Sequence, residues 1–164
     1  MSFNTTEVSN KNFLSPLGFK FSIKKTPHIN YFVQSVNLPS VTLGSTAMPT
    51  PLLRVPIAGD HLTYGDLTIT FKVDEALANY LEIYNWMIAI GRPDNFDQYD
   101  PEQTYSDATL SVLSSAMNTK HEVIFKDMFP IDLGGFTMMS TAGDVDYIES
   151  IATFKYRNFT INTL

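Results

Sequence analysis

The sequence predicts a mainly β protein, a β-sandwich or small barrel with one flanking α-helix. Runs in which apolar and polar residues alternate recur along the chain, and such alternation is typical of strands with one buried face. One segment instead spaces its apolar residues by three and four positions, as an amphipathic helix does. The 164 residues, 44% of them hydrophobic, suffice for one domain with a sizeable core. We expect an N-terminal arm over residues 1–17 and a single β-domain over residues 18–164.

The first elements after the arm are predicted to be two strands of a hairpin. In "GFKFSIKK" (18–25), Phe19, Phe21 and Ile23 share one face. The segment "TPH" (26–28) interrupts this alternation, and "NYFVQSVNL" (30–38) resumes it.

Residues 39–56 differ from their surroundings because these 18 residues hold four of the nine prolines. Proline cannot donate to a β-ladder, so the segment is predicted to be a long extended loop or an edge segment. Its many apolar side chains argue against simple disorder. We therefore expect the segment to be docked, with another chain as a candidate surface.

The segment "GDLTITFKVD" (65–74) is the clearest strand, and it leads into the one predicted helix. Asp74 is a suitable N-cap and Gly91 a suitable stop. Within the helix, one apolar face is predicted to comprise Leu77, Leu81, Tyr84 and Ile88.

The C-terminal half is predicted to contain a loop, a hairpin and a long last strand. Residues 92–106 form an acidic loop, and residues 107–126 alternate as two strands with Ala108, Leu110 and Val112 facing the core. Pro130 and the two following glycines predict a turn over 127–136. The alternation over 145–161 predicts one strand of unusual length.

Charge and composition exclude several classes of function. The net charge of −6 makes nucleic-acid affinity improbable, since such affinity comes largely from Lys and Arg. With no cysteine, the chain has neither disulfides nor thiolate chemistry. The N-terminus lacks the pattern of a signal peptide, and no apolar run is long enough to span a membrane. Only 17% of residues are charged, which suggests that a partner subunit covers part of the surface.

No catalytic, metal or cofactor motif is found. The three histidines are scattered, the acidic run after Pro93 lacks the ligand order of a calcium loop, and no nucleophile elbow or phosphate-binding glycine pattern occurs. From the residues alone, the chain is predicted to be a binding or assembly protein, without a cofactor and not an enzyme.

Three segments together carry a resemblance to a known family. They are "LTYGDLTITFKVDEALANYLEIYNWM" (62–87), "SDATLSVLSSAMNTKHEVIFKDMFPIDLGGF" (106–136) and "DVDYIESIATFKY" (144–156). In that order they resemble the tail tube proteins of contractile-tailed, T4-like bacteriophages, over about residues 18–160.

The resemblance implies a homo-hexameric ring whose inner sheets join into one continuous barrel. Such rings would stack into a tube in the virion tail, inside a contractile sheath and between baseplate and terminator proteins. The tube would be assembled in the host cytoplasm and would contact no membrane, and DNA would cross its lumen without specific binding.

On this reading we expect the arm and the proline-rich segment to carry the contacts between rings, through Val41, Leu43, Met48, Leu52 and Leu53. Candidate lumen acids are Asp144, Asp146 and Glu149, because acidic walls repel phosphate. Three alternatives stay open: a baseplate tube-initiator or tube-terminator of the same fold, the tube of a secretion or pyocin-like system, and a small-ligand-binding β-barrel.

Overall fold

A computed structural model describes residues 11–92, 104–140 and 147–164. Within these ranges the chain forms nine strands and two helices, and most of the residues lie in strands. In chain order they are β1 (Phe19–Ile23), α1 (Ile29–Phe32), β2 (Val33–Val36), β3 (Val41–Pro49), β4 (Arg54–Tyr64), β5 (Leu67–Lys72), α2 (Ala78–Gly91), β6 (Ser106–Leu113), β7 (Thr119–Leu133), β8 (Glu149–Lys155) and β9 (Asn158–Thr163).

Seven strands form one antiparallel arrangement that the long strand β7 divides into two sheets. Residues 121–126 of β7 pair with β6 and β9, so the first sheet has the order β1, β6, β7, β9. Residues 129–133 of β7 pair with β8, so the second sheet has the order β7, β8, β5, β2. Asp127, close to the junction, adopts a left-handed conformation with φ 52°. The pairing passes from β6 at Met128 to β8 at Phe129. The mainly β prediction with a flanking helix is confirmed.

The core lies between the two sheets and is built by alternation. Along β5 every second side chain is buried, and along β8 the buried residues are Ser150, Ala152 and Phe154. Large aromatic rings fill the centre, since Phe71, Phe125 and Phe154 are completely buried. Both strand patterns are as the sequence predicts.

The hairpin predicted over 107–126 is confirmed. Strands β6 and β7 pair antiparallel, and the chain reverses over residues 114–118, where Met117 has φ 60°. Ala108 and Leu110 are buried as expected, whereas Val112 is partly exposed near the end of its strand.

Helix α2 differs from its prediction in its start and in its buried face. It begins at Ala78, because residues 75–76 form a turn. Its buried residues are Asn79, Ile83 and Trp86. The predicted apolar face is exposed on the surface, with exposed fractions of 44% for Leu81, 47% for Tyr84 and 38% for Ile88.

Hydrogen bonds explain which face of α2 is buried. The Asn79 side-chain amide donates to Lys72 O at 2.8 Å and accepts from Asp74 N at 3.2 Å. It thereby supplies hydrogen-bond partners to backbone groups at the connection between β5 and the helix. The Trp86 indole donates to Thr104 O at 2.9 Å. Since buried polar groups need such partners, these two residues fix the orientation of the helix.

The predicted hairpin of the first two strands is wrong. Strand β1 pairs with β6 and β2 pairs with β5, and the segment "INYF" forms the short helix α1 between them. The Asn30 side chain accepts from Ile23 N at 2.8 Å and donates to Ile23 O at 3.3 Å. This amide takes the hydrogen-bonding position beside Ile23 that a pairing strand would need.

Two further predictions are corrected in the C-terminal half. Residues 127–133 continue β7 instead of forming a turn, and Pro130 lies in that strand opposite Phe154. The predicted last strand is two strands, because the chain leaves β8 after Lys155 and pairs with β7 as β9. Arg157 N donates to Lys126 O at 2.9 Å where the new ladder begins. Most of the predicted acidic loop, residues 93–103, lies outside the described residues.

Candidate functional site

The most distinctive surface of the molecule is a hairpin formed by β3 and β4. These strands pair only with each other, as a two-stranded sheet separate from the seven-stranded arrangement. At the tip, Thr50 N donates to Leu53 O at 3.1 Å and Leu53 N donates to the Thr50 hydroxyl at 3.1 Å. We call residues 41–64 the projecting hairpin.

The projecting hairpin corrects the prediction of an extended loop. Pro39 and Pro51 lie outside its strands, while Pro49 and Pro56 lie within them. Each strand of a two-stranded ribbon has one edge that needs no partner, so proline is tolerated there. The proline content therefore indicated edge strands, which was the second possibility that the sequence left open.

The base of the projecting hairpin is held to the body by specific contacts. Gly65 N donates to Ser40 O at 2.8 Å, which closes the hairpin. The Tyr156 hydroxyl donates to Gly65 O at 2.8 Å, and the Tyr64 ring lies 5.5 Å from the Phe159 ring. Burial, followed by the nearby Asp66 carboxylate and Tyr64, raises the pKa of Tyr156 to about 12. The phenol is therefore a neutral donor at physiological pH.

Beyond its base, the projecting hairpin is apolar and exposed. All five residues expected to contact another ring lie on it. Leu52 is 99% exposed and Leu53 67% exposed at the tip, and Val41, Leu43 and Met48 are each about half exposed. The exposed side chains of Val55, within the predicted segment, and of Ile57 and Leu62, beyond its end, extend the same surface. Their cross-strand pairing becomes evident only once the segment is recognised as a hairpin.

The register divides these side chains between two faces. Val41 lies opposite Tyr64 and Leu43 opposite Leu62, whereas Met48 lies opposite Val55. Because side chains alternate along a strand, Met48, an odd number of residues from Val41, points to the other face. One face is thus apolar near the base and the opposite face is apolar towards the tip.

A register shift separates the two apolar regions. It falls between Leu43 and Ser45, where Gly44 and Gly59 approach closely. A Cβ on Gly59 would stand 2.6 Å from Gly44 O, so only glycine fits at that position.

The candidate lumen acids are only partly within the described residues. Asp144 and Asp146 lie outside them. Glu149 begins β8 opposite Lys72 and is exposed on the outer face of the second sheet. Of the predicted arm, residues 1–10 lie outside the described residues, and Phe13, Leu14 and Leu17 are exposed. The assignment of the acids to a lumen stays a prediction.

A pocket of about 420 Å³ lies near the hairpin base, lined by Tyr105, Asp127, Phe129, Tyr156 and Arg157. Its charged groups pair with each other, since Arg157 Nη1 lies 3.4 Å from Asp127 Oδ2. Among the residues that the structure describes, no group of three or more His, Cys, Asp or Glu could hold a metal ion. The described helices include none that is both long and apolar enough to cross a membrane.

No protein-family model and no curated protein matches the sequence. Solved structures match it in fold. The chain is similar to a chain of the tube-terminating cap of the anti-feeding prophage, with a TM-score of 0.69, 13% identity and 100% of each chain covered. It is also similar to a chain of the sheath–tube complex of the extracellular contractile injection system PVC, with a TM-score of 0.64, 14% identity and coverage of 99% of this chain and 100% of that one.

A third similar structure is Hcp1 from Flavobacterium johnsoniae, with a TM-score of 0.51, 13% identity and coverage of 92% of this chain and 96% of that one. These matches extend over nearly the whole of each chain. The protein has the fold of the tube-type proteins of contractile injection systems.

Proposed function

We propose that the protein is a structural, non-enzymatic subunit of the tube of a contractile injection system. Copies form hexameric rings, and the rings stack into a hollow conduit inside a contractile sheath. The observation that carries this proposal is the projecting hairpin, which exposes apolar side chains on both faces and at its tip. An isolated two-stranded hairpin is marginally stable in water at best, so this hairpin requires a partner surface.

The size and position of the hairpin favour contacts between rings. Its outer half carries little charge: Arg54 is the one ionic residue between Gly44 and Gly59. Each fully buried Leu, Val or Met side chain contributes roughly 1.5–3 kcal/mol. Burial of Val41, Leu43, Met48, Leu52 and Leu53 in such a contact would therefore contribute several kcal/mol to stacking one subunit on the next ring.

The geometry of the contact also favours a filament. In the proposed stack, the hairpin tip of one subunit meets a different surface of a subunit in the next ring, so the contact is heterologous. Heterologous contacts that do not close on themselves generate open filaments. A stack of rings is one such filament.

Of the possible systems, we favour the tail tube of a T4-like phage, on the sequence resemblance. DNA would pass through the bore without binding to it. The net charge of −6 suits such a conduit, and Asp144, Asp146 and Glu149 are the acids that we place at the bore.

A tube-terminator or tube-initiator is the second candidate. It is favoured by the similarity to the anti-feeding prophage cap, whose TM-score of 0.69 exceeds the 0.64 of the sheath–tube chain. Copy number per particle separates the two roles, because a tube protein is present in many rings and a terminator in few. A small-ligand barrel fits less well, since aromatic rings fill the space between the sheets.

The test is a variant with a shortened projecting hairpin. Replacing residues 45–58 by Asn-Gly, a favoured two-residue hairpin turn, removes the outer half and keeps the base that packs on Phe159. We expect the variant to remain a folded subunit with a cooperative urea transition close to that of the natural chain, and to form no tubes by electron microscopy under conditions in which the natural chain does. Tubes of normal length from the shortened chain would contradict the proposal.

A further inference from the structure

We propose that the tip of each projecting hairpin docks beside the base of the same hairpin in the next copy of the stack. Leu52 and Leu53 of the tip then lie at the pocket whose walls include Tyr105, Phe129 and Tyr156. This inference rests on the proposed function and names the surface that receives the hairpin. Both partners belong to one chain, with the tip as the inserted part and the base with its pocket as the acceptor.

The length of the projecting hairpin suits such a contact. Strand β4 has 11 residues, and at about 3.3 Å per residue it spans roughly 36 Å. A compact domain of 164 residues is roughly 40 Å across. The tip of one copy can therefore reach the hairpin base of a copy that lies one body length further along the stack.

The two apolar faces of the hairpin are arranged as copies in one orientation require. Two copies that are displaced along a stack without being turned over meet through opposite faces. Near the tip the apolar face carries Met48 and Val55, whereas near the base the opposite face carries Val41 and Leu43. The apolar face at the tip of one copy can therefore lie against the apolar face at the base of the next copy.

The apolar face at the base continues into the pocket. Tyr64, which lies opposite Val41, has its ring centroid 6.1 Å from that of Tyr156 in the pocket wall. Tyr105 and Phe129 form another part of the wall, with ring centroids 5.8 Å apart in an edge-to-face arrangement. Tyr105 is half exposed, so its ring is accessible to an incoming side chain. The pocket is thus a recess with aromatic walls that extends the apolar base.

The charged groups of the pocket are paired with each other. Arg157 Nη1 lies 3.4 Å from Asp127 Oδ2, so the pair as a whole is neutral. The leading residues of the tip, Pro51, Leu52 and Leu53, carry no charge either. Insertion of the tip therefore buries no charge without a partner, which would be costly.

The tip is held in one conformation before it docks. Thr50 N donates to Leu53 O and Leu53 N donates to the Thr50 hydroxyl, each at 3.1 Å, so the turn that presents Leu52 is fixed at both ends. A segment that is already ordered loses less conformational entropy on binding. Residues 11–17 of the arm also expose apolar side chains, but they form no helix or strand. This difference favours the tip over the arm as the occupant of the pocket.

The first experiment is disulfide cross-linking between copies of the full chain, which contains no natural cysteine. Pro51→Cys/Arg157→Cys places one thiol at the tip and one at the pocket, and it keeps both leucines and the three aromatic rings. Under mild oxidation it should give a ladder of covalent oligomers on a non-reducing gel.

The matched control is Pro51→Cys/Ala116→Cys. Ala116 is exposed in the turn that follows β6, whereas Tyr105 of the pocket directly precedes that strand. A disulfide requires Cα atoms within about 7 Å of each other, so the control should give at least about tenfold less cross-linked product.

A third variant tests the arm as the rival occupant. Ser15→Cys/Arg157→Cys places a thiol on the arm and keeps its apolar side chains. We expect its yield of cross-linked chains to be no higher than that of the control. A yield above that of Pro51→Cys/Arg157→Cys would overturn the assignment of the tip to the pocket.

Leu52→Ser and Tyr105→Ser test the contact without cysteines. Each should raise the concentration needed for tube formation at least about tenfold, since each removes apolar surface that the contact buries. Because both changes disrupt one contact, the double variant should exceed the larger single effect by no more than about threefold. Tyr105→Phe keeps the ring and should form tubes near the natural concentration. A double variant whose effect equals the product of the two single effects would overturn the contact.

The outcomes separate this inference from the proposed function. Hollow tubes in the microscope with no more cross-linking at Arg157 than at Ala116 would overturn the docking site and leave the tube function standing. Cross-linked chains that never form a hollow tube would support the docking site and argue against a tube.

Discussion

Removal of the two leucines at the hairpin tip should strongly weaken stacking without unfolding the subunit. The change is Leu52→Ser/Leu53→Ser. The side chains are 99% and 67% exposed in the single chain, so it gains little from them. Exposed substitutions usually alter the free energy of unfolding by no more than about 0.5 kcal/mol.

In a stacked tube the same two side chains would be covered. Full burial of a leucine is worth roughly 1.5–3 kcal/mol, so the pair would contribute roughly 3–6 kcal/mol per subunit. Each 1.4 kcal/mol is a tenfold change in an equilibrium constant, so the concentration needed for tube formation should rise at least about 100-fold.

The assay combines urea denaturation of the subunit with sedimentation and electron microscopy of assembled tubes. Met138→Ser/Met139→Ser is a matched control, because it removes two apolar side chains, each 70% exposed, that lie outside the projecting hairpin. We expect the control to form tubes near the natural concentration. If the leucine variant also did so, burial of the hairpin tip between rings would be refuted. If the urea midpoint of the leucine variant fell steeply, the two leucines would stabilise the single subunit, and the premise that they are free to contact another ring would be wrong.

Three further predictions concern the subunit alone. Tyr156→Phe should lower the free energy of unfolding by about 1 kcal/mol, since it leaves Gly65 O without its donor; an unchanged urea midpoint would exclude that role. Phe154→Ala should cost about 3–5 kcal/mol in the same assay because the ring is completely buried, and a loss under 1 kcal/mol would contradict the assigned core. The Glu82 carboxylate, 2.5 Å from His28 Nδ1, raises the pKa of His28 above 6.5 by its hydrogen bond and its charge. This contact is fully stabilising below pH 6.5 and is lost as the pH rises through the raised pKa. The melting temperature of His28→Gln should therefore depend less on pH between pH 5.5 and 8.5 than that of the natural chain. The same pH dependence in both chains would count against this role of His28.

The strands with one buried face were predictable from the sequence. Alternation over 67–73 and over 148–154 identifies the buried side chains of β5 and β8, because successive side chains of a strand point to opposite faces of the sheet. The hairpin of β6 and β7 was predictable for the same reason. Its alternating runs are joined by a small polar turn.

Elements that depend on a side-chain hydrogen bond could not be predicted in this way. Two faces of α2 carry apolar residues at helical spacing, and only the contacts of Asn79 and Trp86 decide between them. The separation of β1 from β2 depends on the amide of Asn30. Neither choice leaves a periodic signal in the sequence.

The candidate site was predicted in part. The apolar, proline-rich character of 39–56 correctly marked the segment as unusual. Its five candidate contact residues are exposed to solvent in the structure. Its β-hairpin structure and its two opposite apolar faces were missed, because proline is ordinarily evidence against a paired strand. A turn was predicted at Pro130, where the structure has strand β7, for the same reason.

The most direct measurement is cryo-electron microscopy of the purified protein, with a seeding end-complex, at increasing concentration. We expect hollow tubes of stacked hexameric rings, in which density for residues 41–64 of each subunit is enclosed by the next ring. A chain that stays monomeric at every concentration, or tubes in which that hairpin projects freely into solvent, would contradict it.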